Sequence, residues 1–221
     1  MRLFGKYKIR IHLIFVFVVL VIVSGSAGLY GTIFSQSLVS QQQAINKANN
    51  VNSNAARDIR ASLFRMHRSM KDAVLSQQPD EAITALGMVT KDDQFVISKL
   101  NQLQRTYDGD PLLLNILRDD FAVWRTIRQR VATLQKEGRK AEAISITQHE
   151  GADLVDQLDQ ETRNLIVAIT KAHMIAEQKI TVQQRRMSHS LAGILLGAAF
   201  LILSTGLHTG YRLLQPVHVL V

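Results

Sequence analysis

Two long apolar blocks, one near each end, limit the fold of this chain more than any other feature. Residues 11–34 run for 24 positions without Lys, Arg, Asp or Glu. Residues 191–207 are apolar apart from Ser204 and Thr205, and the apolar character runs on to Tyr211. About 20 such residues cross the hydrocarbon core of a bilayer as a helix. Both blocks are therefore read as transmembrane helices, at 11–34 and 190–211, with a charged and polar stretch between them. Arg2, Lys6, Lys8 and Arg10 precede the first block with no acid among them. By the positive-inside rule this keeps residues 1–10 in the cytoplasm, and two spans bring the C-terminus back to the same side. The intervening residues 35–189 are then expected outside. A cleaved signal peptide is the competing reading, supported by the small residues Ser24, Gly25, Ser26 and Ala27. The apolar run continues past them through Leu29, Tyr30, Ile33 and Phe34, which favours an uncleaved span. Gly193 with Gly197, and Gly206 with Gly210, have the spacing that lets membrane helices approach closely.

The net charge is +8. Beyond the N-terminal cluster, basic and acidic residues are interspersed as on solvated helix faces, so a nucleic-acid partner is not expected. The chain has no cysteine, which excludes disulfides and thiol chemistry. Three prolines and sparse glycine leave few interruptions and favour long helices.

Between the spans, apolar residues recur at steps of three and four. One seam holds Ala56, Ile59, Leu63, Met66, Met70 and Ala73, and Gln77, Gln78, Pro79 and Asp80 break it. A second runs through Leu86, Val89, Val96, Leu100, Leu103 and Tyr107. Gly109 then stops a helix, Asp110 is placed to cap the next, and Pro111 suits a first turn. The third seam uses Leu114, Leu117, Phe121, Trp124, Val131 and Leu134, and Glu137 with Gly138 ends it. The fourth holds Ile144, Leu154, Leu158, Leu165, Ala172, Ile175 and Val182. Four amphipathic helices with short connections predict an all-α fold, an antiparallel up-down four-helix bundle flanked by two transmembrane helices. The first and fourth helices are expected to run directly out of the spans. Asn49, Asn52, Asp93, Gly151 and Glu161 interrupt the seams. They are expected to face water or a partner subunit, the alternative being that they set helix register.

Phe121, Trp124 and Arg125, followed by Gly138, Ala141, Glu142 and Ala143 and then Gly151 and Leu154, form a pattern that resembles the four-helix-bundle ligand-binding domain of methyl-accepting chemotaxis proteins. Ile127 stands where that family commonly has an aromatic residue, and Arg139 where it has an acid or amide. Tyr211, Arg212, Leu214, Gln215, Pro216, Val217 and Leu220 resemble the opening of a HAMP linker, so 212–221 is read as the truncated start of one. The resemblance implies a transmembrane sensory input in the bacterial inner membrane, a multi-pass protein with a periplasmic bundle and both termini cytoplasmic. It implies a homodimer, and as partner a small organic acid or amino acid, or a periplasmic binding protein. The same input architecture serves histidine kinases and diguanylate cyclases. A structural membrane protein that docks a partner is the reading from a different class.

No nucleotide loop, zinc-binding helix or catalytic constellation is present, and His149 with Glu150 and Asp153 is only a weak metal set. Neither an enzyme nor a cofactor is expected. The first helix carries Arg57, Arg60, Arg65 and Arg68, with Asp58 and Asp72 the nearest acids along the chain. Guanidinium groups grip carboxylates bidentately, so these four are the candidate ligand contacts, Arg60 and Arg68 first. The competing reading is a solvated face paired loosely with Asp119, Asp120 or Glu161.

Overall fold

The first three helices end where the sequence places its breaks. In a computed structural model, which describes the backbone of residues 3–214, the chain forms α1 (Leu3–Leu75), α2 (Pro79–Thr106), α3 (Pro111–Lys136), α4 (Lys140–Gln148) and α5 (Glu150–Leu214). Asp110 caps α3 by accepting from the Leu112 N–H at 2.9 Å, and Pro111 opens its first turn. At the other end of α3, Gly138 takes φ +76°. There Arg139 N–H donates to Leu134 O and Gly138 N–H to Gln135 O, the paired bonds of a Schellman stop. Arg139 then clasps Glu142 through Nε at 2.7 Å and Nη2 at 2.6 Å, and so ties the turn to the first turn of α4. The HAMP-like residues from Gln215 onward lie outside the described residues.

The chain divides into two compact units. One is Ala44–Ala176, a bundle. Side-chain bonds define its topology. Asn52 reaches Thr106, Asp58 meets Lys99, and Arg65 meets Asp92, so α1 and α2 run antiparallel. Asp93 with Arg125, and Gln104 with Arg118, make α2 and α3 antiparallel. Asp120 with Gln157, and Arg130 with Glu150, do the same for α3 and α5. Across the diagonal, Met66 pairs with Arg128 and Ala73 with Gln135, each pair 62 residues apart, so α1 and α3 are parallel. The result is the expected up-down four-helix bundle. The first three seams are its core, fully buried except for the partly buried Leu86 and Tyr107. Trp124 (1 % exposed) packs edge-on to Phe121, ring centroids 6.1 Å apart.

The fourth wall departs from expectation in three ways. It is interrupted at His149 (φ −110°, ψ −85°), between α4 and α5. A Cβ added at Gly151 would lie 3.3 Å from the Ile146 carbonyl oxygen, so glycine lets the backbone close up across this break. Its buried line is Ala143, Thr147, Gly151, Val155, Leu158, Thr162, Leu165 and Ile169, while Ile144 and Leu154 are only partly buried. Two of these positions are threonines that return their hydroxyls to carbonyls one turn back, Thr147 to Ala143 at 2.8 Å and Thr162 to Leu158 at 2.7 Å. That bond hides the polar atom and lets threonine serve as a core residue. Ala172 and Ile175 are exposed, because the buried line of the bundle stops at Ile169.

The polar residues in the seams are also not where expected. Asn52 (4 % exposed) donates to the Thr106 carbonyl at 3.0 Å and accepts from the Thr106 hydroxyl. Asp93 receives two arginines, and Glu161 accepts from Gln157 at 3.1 Å. These groups are paired inside the chain instead of being left to water or a second subunit. The bonds of Asn52 to α2 and of Asp93 to α3 hold the register of the bundle, since sliding one helix by a turn would separate the partners, whereas Gln157 and Glu161 lie on the same helix.

The other unit joins α1 up to Gln43 with α5 from Glu177 onward. Within it the two helices run antiparallel: Gln42 donates to Glu177 at 3.1 Å, and Gly31 approaches Leu191. Leu38 and Ile180 are buried, whereas Val182 is exposed. Each helix contains an 18-residue window apolar enough to cross a membrane by length and composition, and none of either window is buried. Phe15, Phe17, Leu196, Phe200 and Leu203 are all exposed. An apolar surface of this extent suits a lipid or protein environment and not water.

Candidate functional site

The four arginines of α1 do not form one site. Arg60 is engaged: its Nε donates to Asp159, and Arg163 binds the other oxygen of the same carboxylate at 2.7 Å. Asp159 is buried (side chain 7 % exposed), so Arg60 and Arg163 neutralise a carboxylate that would otherwise be costly inside the bundle. Arg65 is held by Asp92 at 2.9 Å and by the Ser62 hydroxyl at 2.7 Å. The partners are thus Asp159 and Asp92, not the Asp119, Asp120 or Glu161 weighed from sequence. Arg57 and Arg68 are exposed, with no ion pair among the described residues. The structure does bring Arg65 and Arg68 together. Both line an open groove of about 1060 Å³ between α1 and α2, with Lys91, Asp92 and Phe95. Arg57 and Arg60 do not line it.

A second charged cluster lies between α2 and α3. Asp93 accepts from Arg125 Nε at 3.1 Å and Nη2 at 2.8 Å, and from Arg128 Nη2 at 2.7 Å. One carboxylate thus serves two guanidinium groups. Arg128 is 5 % exposed, and its guanidinium lies 4.3 Å from the Trp124 ring centroid and 5.2 Å from that of Phe121. Asp93 supplies the counter-charge for this buried cation, and the two rings add cation–π attraction. Burial pushes the Arg128 guanidinium down, and the hydrogen bond and charge of Asp93 act against that. The remaining donors are poorly served: Nη1 reaches only the Met66 sulfur at 3.0 Å, and Nε has no acceptor. All three charged residues line an open cavity of about 620 Å³. Sequence reasoning noticed Asp93 only as an interruption. Arg125 and Arg128, at spacings of one and four from Trp124, were the available signal, since an arginine one turn after a core tryptophan sits on the same helix face.

Gln157 bridges a pair of acids between α3 and α5, donating to Asp120 and to Glu161. Burial, and then the adjacent Asp120 carboxylate, push Glu161 up to about 7. No catalytic arrangement accompanies any of these groups among the described residues.

The architecture is an antiparallel four-helix bundle on the same chain as two exposed apolar helix segments long enough to cross a membrane. Residues 6–181 match the four helix bundle sensory module for signal transduction, and the chain belongs to that family. No curated protein and no solved structure gives a significant match.

Proposed function

We propose that this chain is the transmembrane sensory input of a bacterial chemoreceptor, with the bundle outside the inner membrane and both termini in the cytoplasm. The observation that carries the reading is the continuity of α5. A single helix from Glu150 to Leu214 is both a wall of the bundle and the carrier of the second apolar window. A shift of about 1–2 Å in such a helix, a common size for signalling displacements, moves the whole element. The chain also enters and leaves the bundle by the same end, since α1 and α5 are antiparallel there, as tethering at both ends requires. The basic N-terminus supports the orientation. A homodimer fits as well: a Cβ added at Gly193 would meet nothing of this chain within 4 Å, so a second copy could approach there, while Gly197 borders the cleft between α5 and α1. For the ligand, the Arg65 and Arg68 groove is the part of the predicted arginine set that suits a small acid. Arg68 has an uncommitted guanidinium there, while Arg60 is committed to Asp159. Binding and relay, with no catalysis, is the role this reading assigns.

The test is a hybrid receptor. The chain is joined after Val221 to the remainder of the HAMP linker and the output region of a well-behaved chemoreceptor and expressed in a receptorless strain. Ligand panels of organic acids, amino acids and periplasmic extracts should change the kinase output. An output locked at one level across every panel, with the hybrid correctly inserted, would contradict the proposal and favour a structural docking protein.

A further inference from the structure

The cavity between α2 and α3 is built differently from the surface groove. Its charged lining is Asp93, Arg125, Arg128 and Lys136, three cations to one carboxylate. Arg128 is more than nine-tenths buried and short of acceptors. An arginine offers five N–H donors. Here one goes to a carboxylate and one to a thioether, which is a weak acceptor. Arg125 spends Nε and Nη2 on Asp93, and Nη1 has no partner among the described hydrogen bonds. An unpaired buried donor is a standing penalty, and a charged one more so. Most of the rest of the wall is apolar, with Met70, Leu86 and Ile97 facing the same space, and Thr90 and Gln129 are its uncharged polar members.

We propose that this cavity is a binding site for a small monocarboxylate with a short apolar tail. The carboxylate accepts from Arg125 Nη1 and from a second N–H of an Arg128 Nη group, each of which carries two hydrogens, and offsets the excess positive charge. The tail packs against Leu86 and Ile97. Charge-assisted bonds of this kind are short and strong, and a pair of guanidinium groups fixes the orientation of the carboxylate plane. The inference rests on the reading of the bundle as a ligand-sensing module, but it concerns a site inside one subunit and needs no dimer.

The chain supplies its own reporter. Trp124 is the sole tryptophan, and Arg128 stacks on it at 4.3 Å. A carboxylate drawn to Arg128 alters the field over that ring. The full chain in nanodiscs is titrated with sodium isovalerate, with isovaleramide and sodium chloride as controls, and Trp124 fluorescence is followed. A saturable change with isovalerate alone is expected. Arg125→Met, at a half-exposed position that tolerates an apolar side chain, should weaken it at least tenfold, and Lys136→Met less. Arg68→Met should leave it unchanged. An absent saturable response, an equal response to chloride, or undiminished affinity in Arg125→Met overturns the site. So does loss of binding in Arg68→Met alone, which moves the ligand to the surface groove. A protein that binds isovalerate here while its hybrid receptor stays silent keeps the site and loses the sensory role. A responsive hybrid whose chain does not bind isovalerate does the opposite.

Discussion

Replacing Glu161 with glutamine should stabilise the bundle at neutral and alkaline pH and do little in acid. In the folded chain burial and the Asp120 carboxylate raise Glu161 from 4.5 to about 7. Because the folded value is the raised one, the favourable contribution is complete below about 4.5 and is lost as pH rises through about 7. The full shift corresponds to at most about 3 kcal/mol. Glu161 is only partly buried, so solvent screening reduces this to about 1 kcal/mol. Glutamine mimics the protonated form at every pH. Urea unfolding of the two proteins, followed through buried Trp124, should therefore coincide at pH 4.5 and diverge by about 1 kcal/mol in favour of Glu161→Gln at pH 8. Asp120→Asn should remove part of the divergence. A gap between the curves that is the same at both pH values, or one that favours the native protein at pH 8, would refute the assignment of Glu161 as a carboxyl held partly protonated near neutrality.

Asp93→Ala leaves Arg128 buried without its counter-charge and should cost about 3 kcal/mol, measurable by the same unfolding assay. Asp93→Asn, which keeps one acceptor, should cost less. At the α3–α4 turn, Gly138→Ala places a Cβ on a residue with φ +76°. It should lower stability by about 1 kcal/mol through strain at the left-handed position alone, since nothing crowds the added methyl.

The sequence made the bundle legible because its first three seams consist of apolar residues at regular spacing and its breaks use residues with a definite role. Asp110 caps, Pro111 starts a helix, and Gly138 takes the left-handed turn. The fourth wall was less legible for a chemical reason. Counting apolar residues selects Ile144 and Leu154, whereas the buried line passes through Thr147, Gly151 and Thr162. Threonine that bonds its own helix and glycine under a carbonyl are core residues that an apolar count does not see. The charged site was hidden in a similar way. Arg60 looked available because the acids nearest it along the chain are few, but its partner Asp159 lies 99 residues away. Arg125 and Arg128 were passed over because cation–π stacking on Trp124 and a shared Asp93 become visible only when α2 and α3 are side by side.

Topology is the most direct test of the central claim, that the bundle senses the outside while the N-terminus stays within. The chain has no cysteine, so single cysteines report without background. Asp108→Cys, at an exposed position between α2 and α3, should react in intact cells, after outer-membrane permeabilisation, with a thiol reagent that cannot cross the inner membrane. Lys6→Cys should react only once the inner membrane is opened. Labelling of Lys6→Cys in intact cells, with or without labelling at Asp108→Cys, would contradict the account.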